Sequence, residues 1–401
     1  MALHAITSFL LFSTLTVLML FNNLAAFPTP LTFNVVDFGT KPNNAETDSS
    51  KALQLAWMHA CSSSKPATIY VPKAKFYVRS ATFNGPCKNN HITIRIDGAL
   101  MAPSDFHLTS NSENWILFHN VNGVTVLGGI LDGQGTQLWA CKNSANTCPR
   151  GTTSLEFTNS QNILVNGLTA LNSQLYHIVV NQCRNVKMQG LKVSAAGNSP
   201  NTDGIHVGDS SHVTILNTNI RTGDDCISIG PGSSNLWIEN IACGPGHGIS
   251  IGSLAKDFKE KGVQNVTVKS CKFMDTQNGV RIKSWGRQSI GFARNIRFQH
   301  LTMTNVQNPI IIDQNYCPHN QGCPGQSSGV AVSDVKYTDI RGTSATPVAI
   351  KFDCSPKFPC KGIKLEDVKL SYKNQVAKAS CSNAQGLNVG VVQPMGCFKG
   401  N

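Results

Sequence analysis

Residues 213–241 read VTILNTNIRTGDDCISIGPGSSNLWIENI and contain one full unit of the pattern that decides the fold. A short alternating strand (VTIL) leads into a turn rich in Asn, Gly and Asp, a second strand (CISI) and another turn, and then a strand like the first returns (LWIENI). The steps between successive copies of this opening strand are 39, 23, 27, 23, 30, 30, 39 and 28 residues. Its nine copies start at Val124, Ile163, Val186, Val213, Leu236, Val266, Ile296, Val335 and Ile363.

Repeats of this kind predict an all-β chain that winds into a parallel β-helix. Steps of 23 residues or more leave room for three or so short strands in each coil, and the longer steps indicate loops inserted between strands. A propeller would show steadier blades of about 40 residues, and a sandwich would not repeat one pattern nine times. Each coil is therefore expected to pair with the next along a single solenoid.

The open ends of a β-helix need covers that prevent edge pairing. Asp48-Ser49-Ser50 followed by Lys51 to Cys61 predicts an N-capped amphipathic helix that shields the first coil. The cysteine-rich segment from Cys354 to Cys397 is expected to cover the other end. No linker divides the chain, so residues 27–401 are expected to form one domain.

Residues 1–26 are typical of a secretory signal peptide. They carry an apolar stretch from Ile6 to Phe21, no Asp, Glu, Lys or Arg, and small residues up to Ala26. A retained membrane anchor is the alternative, and no later segment is apolar enough to span a bilayer. The sequon Asn265-Val266-Thr267 adds a candidate glycan site.

Fourteen cysteines in a chain expected to enter the secretory pathway indicate disulfides. Four pairs are near neighbours in sequence, and two are longer-range candidates. Cys183 and Cys271 remain and are interpreted as buried thiols. The predicted pairs are Cys141–Cys148, Cys317–Cys323, Cys354–Cys360, Cys381–Cys397, Cys61–Cys87 and Cys226–Cys243.

The strands that precede the repeat starts share a frame. The second and fourth residues after the first are Ile or Val and are expected to point inward, so the third and fifth after the first are expected to face outward. The blocks are Asp203-Gly-Ile-His-Val, Asp225-Cys-Ile-Ser-Ile, His247-Gly-Ile-Ser-Ile, Asn278-Gly-Val-Arg-Ile and Asn308-Pro-Ile-Ile-Ile. Because side chains alternate along a strand and neighbouring strands lie about 4.8 Å apart, the first residues of the blocks are expected to form a ladder. Asp224 lies directly beside it, and Arg281 and Lys283 are expected to face outward next to the ladder.

Neighbouring carboxylates carry more meaning than a single Asp-Gly pair, which usually marks a turn. Three carboxylates in adjacent coils repel one another and titrate as a coupled set in which one proton is retained to higher pH. Glycoside hydrolysis needs one carboxylic acid and one carboxylate on opposite faces of a sugar. Arg281 and Lys283 would neutralise these carboxylates, bind an anionic ligand, or do both. A polymer of uronic acids would suit both the cationic pair and the net charge of +12.

At these residues the sequence resembles the polygalacturonases of glycoside hydrolase family 28. Four motifs carry the resemblance, in the family's order: Asn201-Thr202-Asp203, Gly223-Asp224-Asp225, Gly246-His247-Gly248 and Arg281-Ile282-Lys283. The likeness extends from Phe33 to Cys397 and is greatest toward plant, pollen-type exopolygalacturonases. It implies a single-stranded right-handed parallel β-helix that hydrolyses α-1,4-galacturonan with inversion and without a metal or other cofactor.

The resemblance also implies roles for individual residues. Asp224 would be the general acid, and Asp203 and Asp225 would hold and deprotonate the attacking water. His247 would tune the protonation of the acid. Galacturonate would be bound by Arg281 and Lys283 through its carboxylate and by Asn201 and Tyr316 through further sugar contacts.

Several alternatives remain open at this point. Exo action is favoured over endo action by subgroup likeness alone. A pectate lyase would eliminate rather than hydrolyse and would normally recruit Ca²⁺, and a non-catalytic wall-binding protein would do neither. The expected protein is a secreted monomer of the cell wall that acts on polygalacturonate or pectin. Nucleic acid is not an expected partner, since the cations are not interleaved with exposed aromatics on a recognisable module.

Overall fold

The computed structural model describes residues 31–109, 112–144 and 147–398. Two α-helices lie in these ranges, α1 (Ser50–Ser62) and α2 (Thr136–Asn143), with short 3-10 helices at Val35–Phe38, Phe106–Leu108 and Pro318–Asn320. The strands are β1 (Leu31–Asn34), β2 (Ala67–Val71), β3 (Lys75–Tyr77), β4 (Ala81–Asn84), β5 (Ile92–Ile96), β6 (Ala99–Met101), β7 (Asn114–His119), β8 (Val124–Leu127), β9 (Ile130–Asp132), β10 (Thr153–Thr158), β11 (Gln161–Asn166), β12 (Thr169–Leu171), β13 (Ile178–Asn181), β14 (Arg184–Gln189), β15 (Lys192–Ser194), β16 (Ile205–Gly208), β17 (Ser211–Arg221), β18 (Ile227–Ile229), β19 (Ser234–Cys243), β20 (Ile249–Leu254), β21 (Val263–Lys269), β22 (Lys272–Met274), β23 (Asn278–Trp285), β24 (Phe292–Val306), β25 (Asn308–Tyr316), β26 (Ala331–Ser344), β27 (Val348–Asp353), β28 (Cys360–Tyr372), β29 (Gln375–Val376), β30 (Lys378–Ser382) and β31 (Ala384–Val389).

The strands form two sheets that run the length of a solenoid. One sheet has 11 strands and takes one strand from each coil, in the order β4-β7-β10-β13-β16-β18-β20-β23-β25-β27-β30. The other has 20 strands, and its long members bend so that one strand serves two faces: β14 and β15 both pair with β17. Apart from the hairpin between β28 and β29, the pairings are parallel. The predicted parallel β-helix is therefore confirmed.

The bends of the 20-stranded sheet follow from the repeat found in the sequence. The fifth residue of each copy has a positive φ, as at Gly128, Asn217 and Asn240. Gly and Asn tolerate this left-handed conformation better than other residues do. The residue just before each copy is also left-handed, as at Asn185 and Asn265. Two left-handed residues in each copy, one just before it and one at its fifth position, thus form the corners of the coil.

Apolar residues of the two sheets meet in a continuous core inside the coil. Phe83, Phe118 and Phe157 stack from coil to coil with ring centroids 4.7 and 4.8 Å apart. Trp57 of α1 packs on Phe83 at 5.2 Å. The first coil is therefore closed by an aromatic contact from the helix, as the sequence predicts.

Helix α1 begins close to the predicted point, and its cap lies within Asp48-Ser49-Ser50. Ser49 makes no side-chain cap, and Asp48 instead accepts hydrogen bonds from the backbone N–H (3.0 Å) and hydroxyl (2.6 Å) of Ser50. The buried face consists of Ala52, Leu53, Ala56, Trp57 and Ala60. At the other end of the solenoid, Phe398 stacks on Phe352 of β27 at 5.7 Å.

The six predicted disulfides are all present, and Cys183 and Cys271 are buried free thiols. Burial raises the pKa of Cys183 to about 11 and that of Cys271 to about 12, which keeps both thiols protonated and unreactive. Within the described ranges, no helix has the length and apolarity that crossing a membrane requires. The predicted signal peptide, residues 1–26, lies outside the described residues.

Candidate active site

The predicted ladder lies on the 11-stranded sheet, and its register is the one that the shared frame requires. Ile205 of β16 pairs with Ile227 of β18, which pairs with Ile249 of β20, and the series continues through β23 and β25. The residues two positions earlier therefore stack as well. Asp203 and Asp225 begin adjacent coils, and His247, Asn278 and Asn308 continue the same column.

The outward strand positions are more enclosed than expected. Ser228, Ser250, Arg281 and Lys283 point away from the core, yet the four residues are between 0% and 8% exposed. Long side chains of one coil fold over the short side chains of the preceding coil. The serines therefore link one coil to the next through hydrogen bonds instead of leaving open space above the sheet.

Asp225 is the anchor of the cationic pair. Its Oδ1 accepts from the Arg281 guanidinium and its Oδ2 from the Lys283 ammonium, each at 2.9 Å, and Ser250 donates to Oδ1 at 2.8 Å. Burial by itself would raise the pKa of Asp225, but Lys283 and Arg281 outweigh burial and lower that pKa to about 2. Asp225 is therefore a carboxylate at neutral and mildly acidic pH.

Asp203 has the opposite environment, although it occupies the equivalent position of the preceding coil. It is 6% exposed and accepts one hydrogen bond, from the Ser228 hydroxyl at 2.6 Å. Burial, followed by the charges of Asp224 and Asp225, raises the pKa of Asp203 well above its ordinary value. Equivalent positions in the frame thus carry one protonatable acid and one permanent anion.

Asp224 is the most accessible of the three carboxyl groups. Its side chain is 21% exposed, against 2% for that of Asp225. Its Oδ1 accepts from the backbone N–H of Asp225 at 2.7 Å and lies 3.0 Å from Nδ1 of His247. Two partners on one oxygen fix the carboxyl plane and leave Oδ2 as the oxygen available to a ligand.

The three carboxyl groups share a cavity of about 430 Å³. Of the other predicted site residues, Asn201, Lys283 and Tyr316 line it directly. Lys283 Nζ lies 5.0 Å from the centre of the Tyr316 ring, and the Arg281 guanidinium carbon lies 5.8 Å from it. Arg281 and His247 act on the cavity indirectly. Arg281 donates a hydrogen bond to Asp225, and His247 lies within hydrogen-bond distance of Asp224.

Several residues in this cavity were not predicted from the sequence as site residues. They share the property of closing the walls around the carboxyl groups: Arg150, Tyr176, Lys256, Glu260 and Trp285. Tyr176 could have been found by extending the shared frame by one coil, since Ile178 pairs with Ile205 and Tyr176 therefore stacks beside Asp203. Arg150, Lys256 and Glu260 lie in loops between strands, where the repeat gives no register.

His206 lines the cavity and extends its hydrogen-bonded network. Its ring stacks on Tyr176 with centroids 5.3 Å apart, and its Nδ1 lies 2.8 Å from the Ser228 hydroxyl. Burial lowers the pKa of His206 to about 4, so the ring is neutral. Since Ser228 donates to Asp203, the Nδ1–H of His206 donates to Ser228. This series of hydrogen bonds, from His206 to Ser228 and from Ser228 to Asp203, holds the Asp203 carboxyl group in place without adding charge.

Asp224, Asp225 and His247 also offer three potential metal-ligand atoms within 4.8 Å of one another. Both oxygens of Asp225 already bind cations, at 2.9 Å from Lys283 and Arg281. A divalent ion would have to share Asp225 with these two buried positive charges. The donor set therefore fits a metal poorly.

Comparison with known proteins gives the same picture over most of the chain. Residues 61–393 match the model of the glycosyl hydrolases family 28. The chain is 64% identical to a polygalacturonase of Prunus persica, over 96% of this chain and 98% of that protein. It is 44% identical to an exopolygalacturonase of Platanus acerifolia, over 88% and 94%.

Among solved structures, an exopolygalacturonase of Thermotoga maritima is similar with a TM-score of 0.73 and 18% identity. The likeness covers 90% of this chain and 92% of that chain. At this level of identity the likeness concerns the fold, and it agrees with the predicted right-handed parallel β-helix.

Proposed function

The chain belongs to the glycosyl hydrolases of family 28, and from this premise we propose how its described residues hydrolyse galacturonan. Polygalacturonase activity itself follows from the family and its curated relatives. The observation that supports the mechanism is the meeting of three carboxyl groups from adjacent coils in one cavity, with Lys283 on its wall. This cavity would hold the attacking water, place the proton donor beside the glycosidic oxygen and bind the sugar carboxylate.

Asp224 is the proposed general acid because it is the carboxyl group that a glycosidic oxygen can reach. His247 and the backbone hold its Oδ1, and a proton on Oδ2 would pass to the leaving oxygen as the bond to the anomeric carbon breaks. One proton is retained within the set of three carboxyl groups. In the free protein, burial favours this proton on Asp203. For transfer to the leaving oxygen of a substrate, the proton must be on Asp224.

Asp225 and Asp203 are proposed to hold the attacking water on the other face of the sugar. Asp225 remains charged, so it carries no proton of its own and can accept one from this water. A water that attacks opposite the departing oxygen inverts the anomeric centre. The reaction therefore needs no covalent intermediate.

Arg281 and Lys283 are proposed to bind a galacturonate carboxylate in addition to holding Asp225. Lys283 lies on the cavity wall and has donor positions beyond the one used for Asp225. Tyr316 and Asn201 border the same space and would contact sugar hydroxyl groups. The cationic pair would thus couple substrate binding to the charge of the proposed base.

Exo action is the proposed mode, with release of galacturonic acid from polygalacturonate or pectin, as in pollen-type enzymes. The name of the Platanus acerifolia relative supports it. The proposed location is the extracellular cell wall, reached after removal of residues 1–26. Residues 27–401 would act as one catalytic domain and as a monomer, with a glycan at Asn265, whose backbone sits at an exposed corner of the coil.

Digestion of polygalacturonate by the purified protein tests this function. We expect new reducing ends, galacturonic acid as the first product, and a β-anomer that appears before mutarotation in proton NMR spectra. A spread of oligomers would establish endo action. An unsaturated product that disappears with chelator would indicate a lyase, and the absence of cleavage with retained binding would indicate a wall-binding protein.

A further inference from the structure

A second cavity adjoins the one that contains the three carboxyl groups. It measures about 260 Å³ and lies toward the N-terminal coils. Arg150, Tyr176 and His206 line both cavities. These three residues therefore form the boundary at which a bound polymer would pass from one cavity into the next.

Arg150 is held at this boundary by contacts with helix α2. Leu138 and Trp139 of α2 are buried, and the Trp139 indole N–H donates to the carbonyl of Ser173 at 3.1 Å. From the same helix, Lys142 Nζ donates to the Arg150 carbonyl at 2.7 Å. The disulfide between Cys141 and Cys148 ties the helix to the segment just before Arg150.

The chain that follows Arg150 is fixed on the other side by a buried glutamine. Gln174 is 1% exposed, and its Oε1 accepts from the backbone N–H of Thr152 at 3.3 Å. The next residue, Leu175, donates its backbone N–H to the Thr152 carbonyl at 3.1 Å. The backbone of Arg150 is thereby anchored on both sides.

Arg150 is exposed, although its backbone is held by these contacts. It makes no ion pair with any carboxylate of the described residues, unlike Arg281 and Lys283. An unpaired arginine on the wall of a cavity that handles a polyuronate is a bidentate donor for a sugar carboxylate. Along the solenoid, Arg150 belongs to an earlier coil than the three carboxyl groups, whereas Lys283 in β23 belongs to a later one.

The second cavity is acidic beyond Arg150. Glu113 and Glu156 line it, and Arg150 is the one Lys or Arg among its described lining residues. Burial, followed by the charge of Glu113, raises the pKa of Glu156 to about 7. A further galacturonate placed here would meet the charge of Glu113, joined by that of Glu156 as the pH rises through about 7. Arg150, already engaged with the first sugar, is the only cation among the described lining residues.

We propose that Arg150 binds the carboxylate of the terminal galacturonate, the sugar that is released, and that Glu113 and Glu156 exclude a second galacturonate beyond it. This inference rests on the proposed function and adds the feature that ends the binding cleft after one sugar. Electrostatic exclusion by Glu113 and Glu156 then makes monomer the product.

Steady-state kinetics of Arg150→Ala on trigalacturonate provide the first test. We expect kcat/KM to fall by about 10- to 100-fold, as loss of a charged hydrogen bond predicts, and Arg150→Lys to recover part of it. The same loss should be small on an analogue whose terminal carboxyl is reduced to an alcohol. Arg184→Ala, which removes an exposed arginine of β14, is the matched control and should change neither rate.

The paired variant Glu113→Gln/Glu156→Gln tests the acidic part of the cleft. We expect digalacturonate to appear as an early product beside the monomer, because a second uronate is no longer repelled. An Arg150→Ala protein with unchanged preference for the uronate-ended substrate would overturn the binding role, and monomer alone from the paired variant would overturn the exclusion. If the unaltered protein releases no reducing ends, the proposed function fails instead.

Discussion

Two ladders of polar side chains run along this solenoid. Stacking from coil to coil is favourable for the side chains of one ladder and unfavourable for those of the other. At the corners of the 20-stranded sheet, asparagines donate to one another from coil to coil, as in Asn185 to Asn162 at 2.6 Å and Asn240 to Asn217 at 2.6 Å. On the 11-stranded sheet, Asp203 and Asp225 occupy equivalent positions of adjacent coils. Amides satisfy each other when stacked, whereas carboxylates repel.

The comparison teaches that the same repeat geometry stabilises the fold at one place and creates reactivity at another. The amide ladder needs no outside partner. The carboxylate ladder exists only because Lys283 and Arg281 neutralise one member and burial keeps a proton on another. Substitutions at the carboxylate ladder should therefore change catalysis and the pH dependence of stability, whereas substitutions in the amide ladder should change stability alone.

The largest expected effect is on catalysis. Asp224→Asn removes the proposed acid while keeping an acceptor for His247 and the backbone, so the fold should persist. We expect kcat on polygalacturonate to fall by about 10²- to 10⁴-fold, the usual contribution of general acid catalysis. Reducing-end assays measure the fall in kcat, and thermal unfolding checks that the fold persists. A variant with more than a tenth of the normal kcat would argue against Asp224.

The next effect is on stability and concerns Asp225. Asp225→Asn leaves Arg281 and Lys283, both less than 10% exposed, without their carboxylate. The free energy of unfolding should fall by about 3–5 kcal/mol, measured by denaturant titration. Asp209→Asn is the matched control, because its partner Lys261 is 71% exposed. That pair should contribute less than about 1 kcal/mol.

The two aspartates of the carboxylate ladder should also differ in the sign of their pH dependence. The raised pKa of Asp203 means that the native state holds a proton that the unfolded chain has lost, so stability falls as pH rises above the ordinary value of 3.8. Asp203→Asn should therefore raise the melting temperature at pH 7 and lose this advantage near pH 3, while activity is lost. The lowered pKa of Asp225 gives stability that is lost as pH falls from 3.8 toward 2.

A melting temperature that is the same for Asp203→Asn and the unaltered protein across this pH range would contradict the retained proton. Differential scanning calorimetry from pH 3 to pH 7 provides the comparison.

The smallest effect is expected in the amide ladder. Asn240 has φ of 58° and lies at an exposed corner. Asn240→Ala should lower the free energy of unfolding by about 1 to 2 kcal/mol, since a Cβ without a local hydrogen bond disfavours the left-handed conformation. Asn240→Gly, which keeps that conformation accessible, should lose less. Activity on polygalacturonate should be unchanged in both variants, and an altered kcat would mean that the corners influence the site.

Much of this arrangement could be predicted from the sequence because the coil repeats. The alternation of inward Ile and Val gave the register of Asp203, Asp225 and His247. Closeness in sequence paired four of the six disulfides, and Cys61–Cys87 and Cys226–Cys243 were longer-range candidates. The pairing of both Arg281 and Lys283 with Asp225 was left open, since register places residues in rows but does not choose rotamers. Arg150 and Lys256 were missed because loop residues have no register.

Helix α2 was missed for a related reason. Thr136–Asn143 is short and has little amphipathic pattern, and its place is decided by the contacts of Leu138 and Trp139 with neighbouring coils. Tertiary packing overrides local propensity in such a segment. The sequence placed the cap of α1 within Asp48-Ser49-Ser50, and the choice of Asp48 among these adjacent polar residues is a similarly local one.

Hydrolysis of α-galacturonosyl fluoride by the three aspartate variants tests the assignment of the carboxyl groups most directly. Fluoride leaves without a proton, so a variant that lacks only the acid should still act on it. We predict that Asp224→Asn hydrolyses the fluoride within about 10-fold of the unaltered protein while losing polygalacturonate cleavage, and that Asp203→Asn and Asp225→Asn lose both activities. Retention of fluoride hydrolysis by Asp203→Asn, with its loss in Asp224→Asn, would contradict the account and identify Asp203 as the acid.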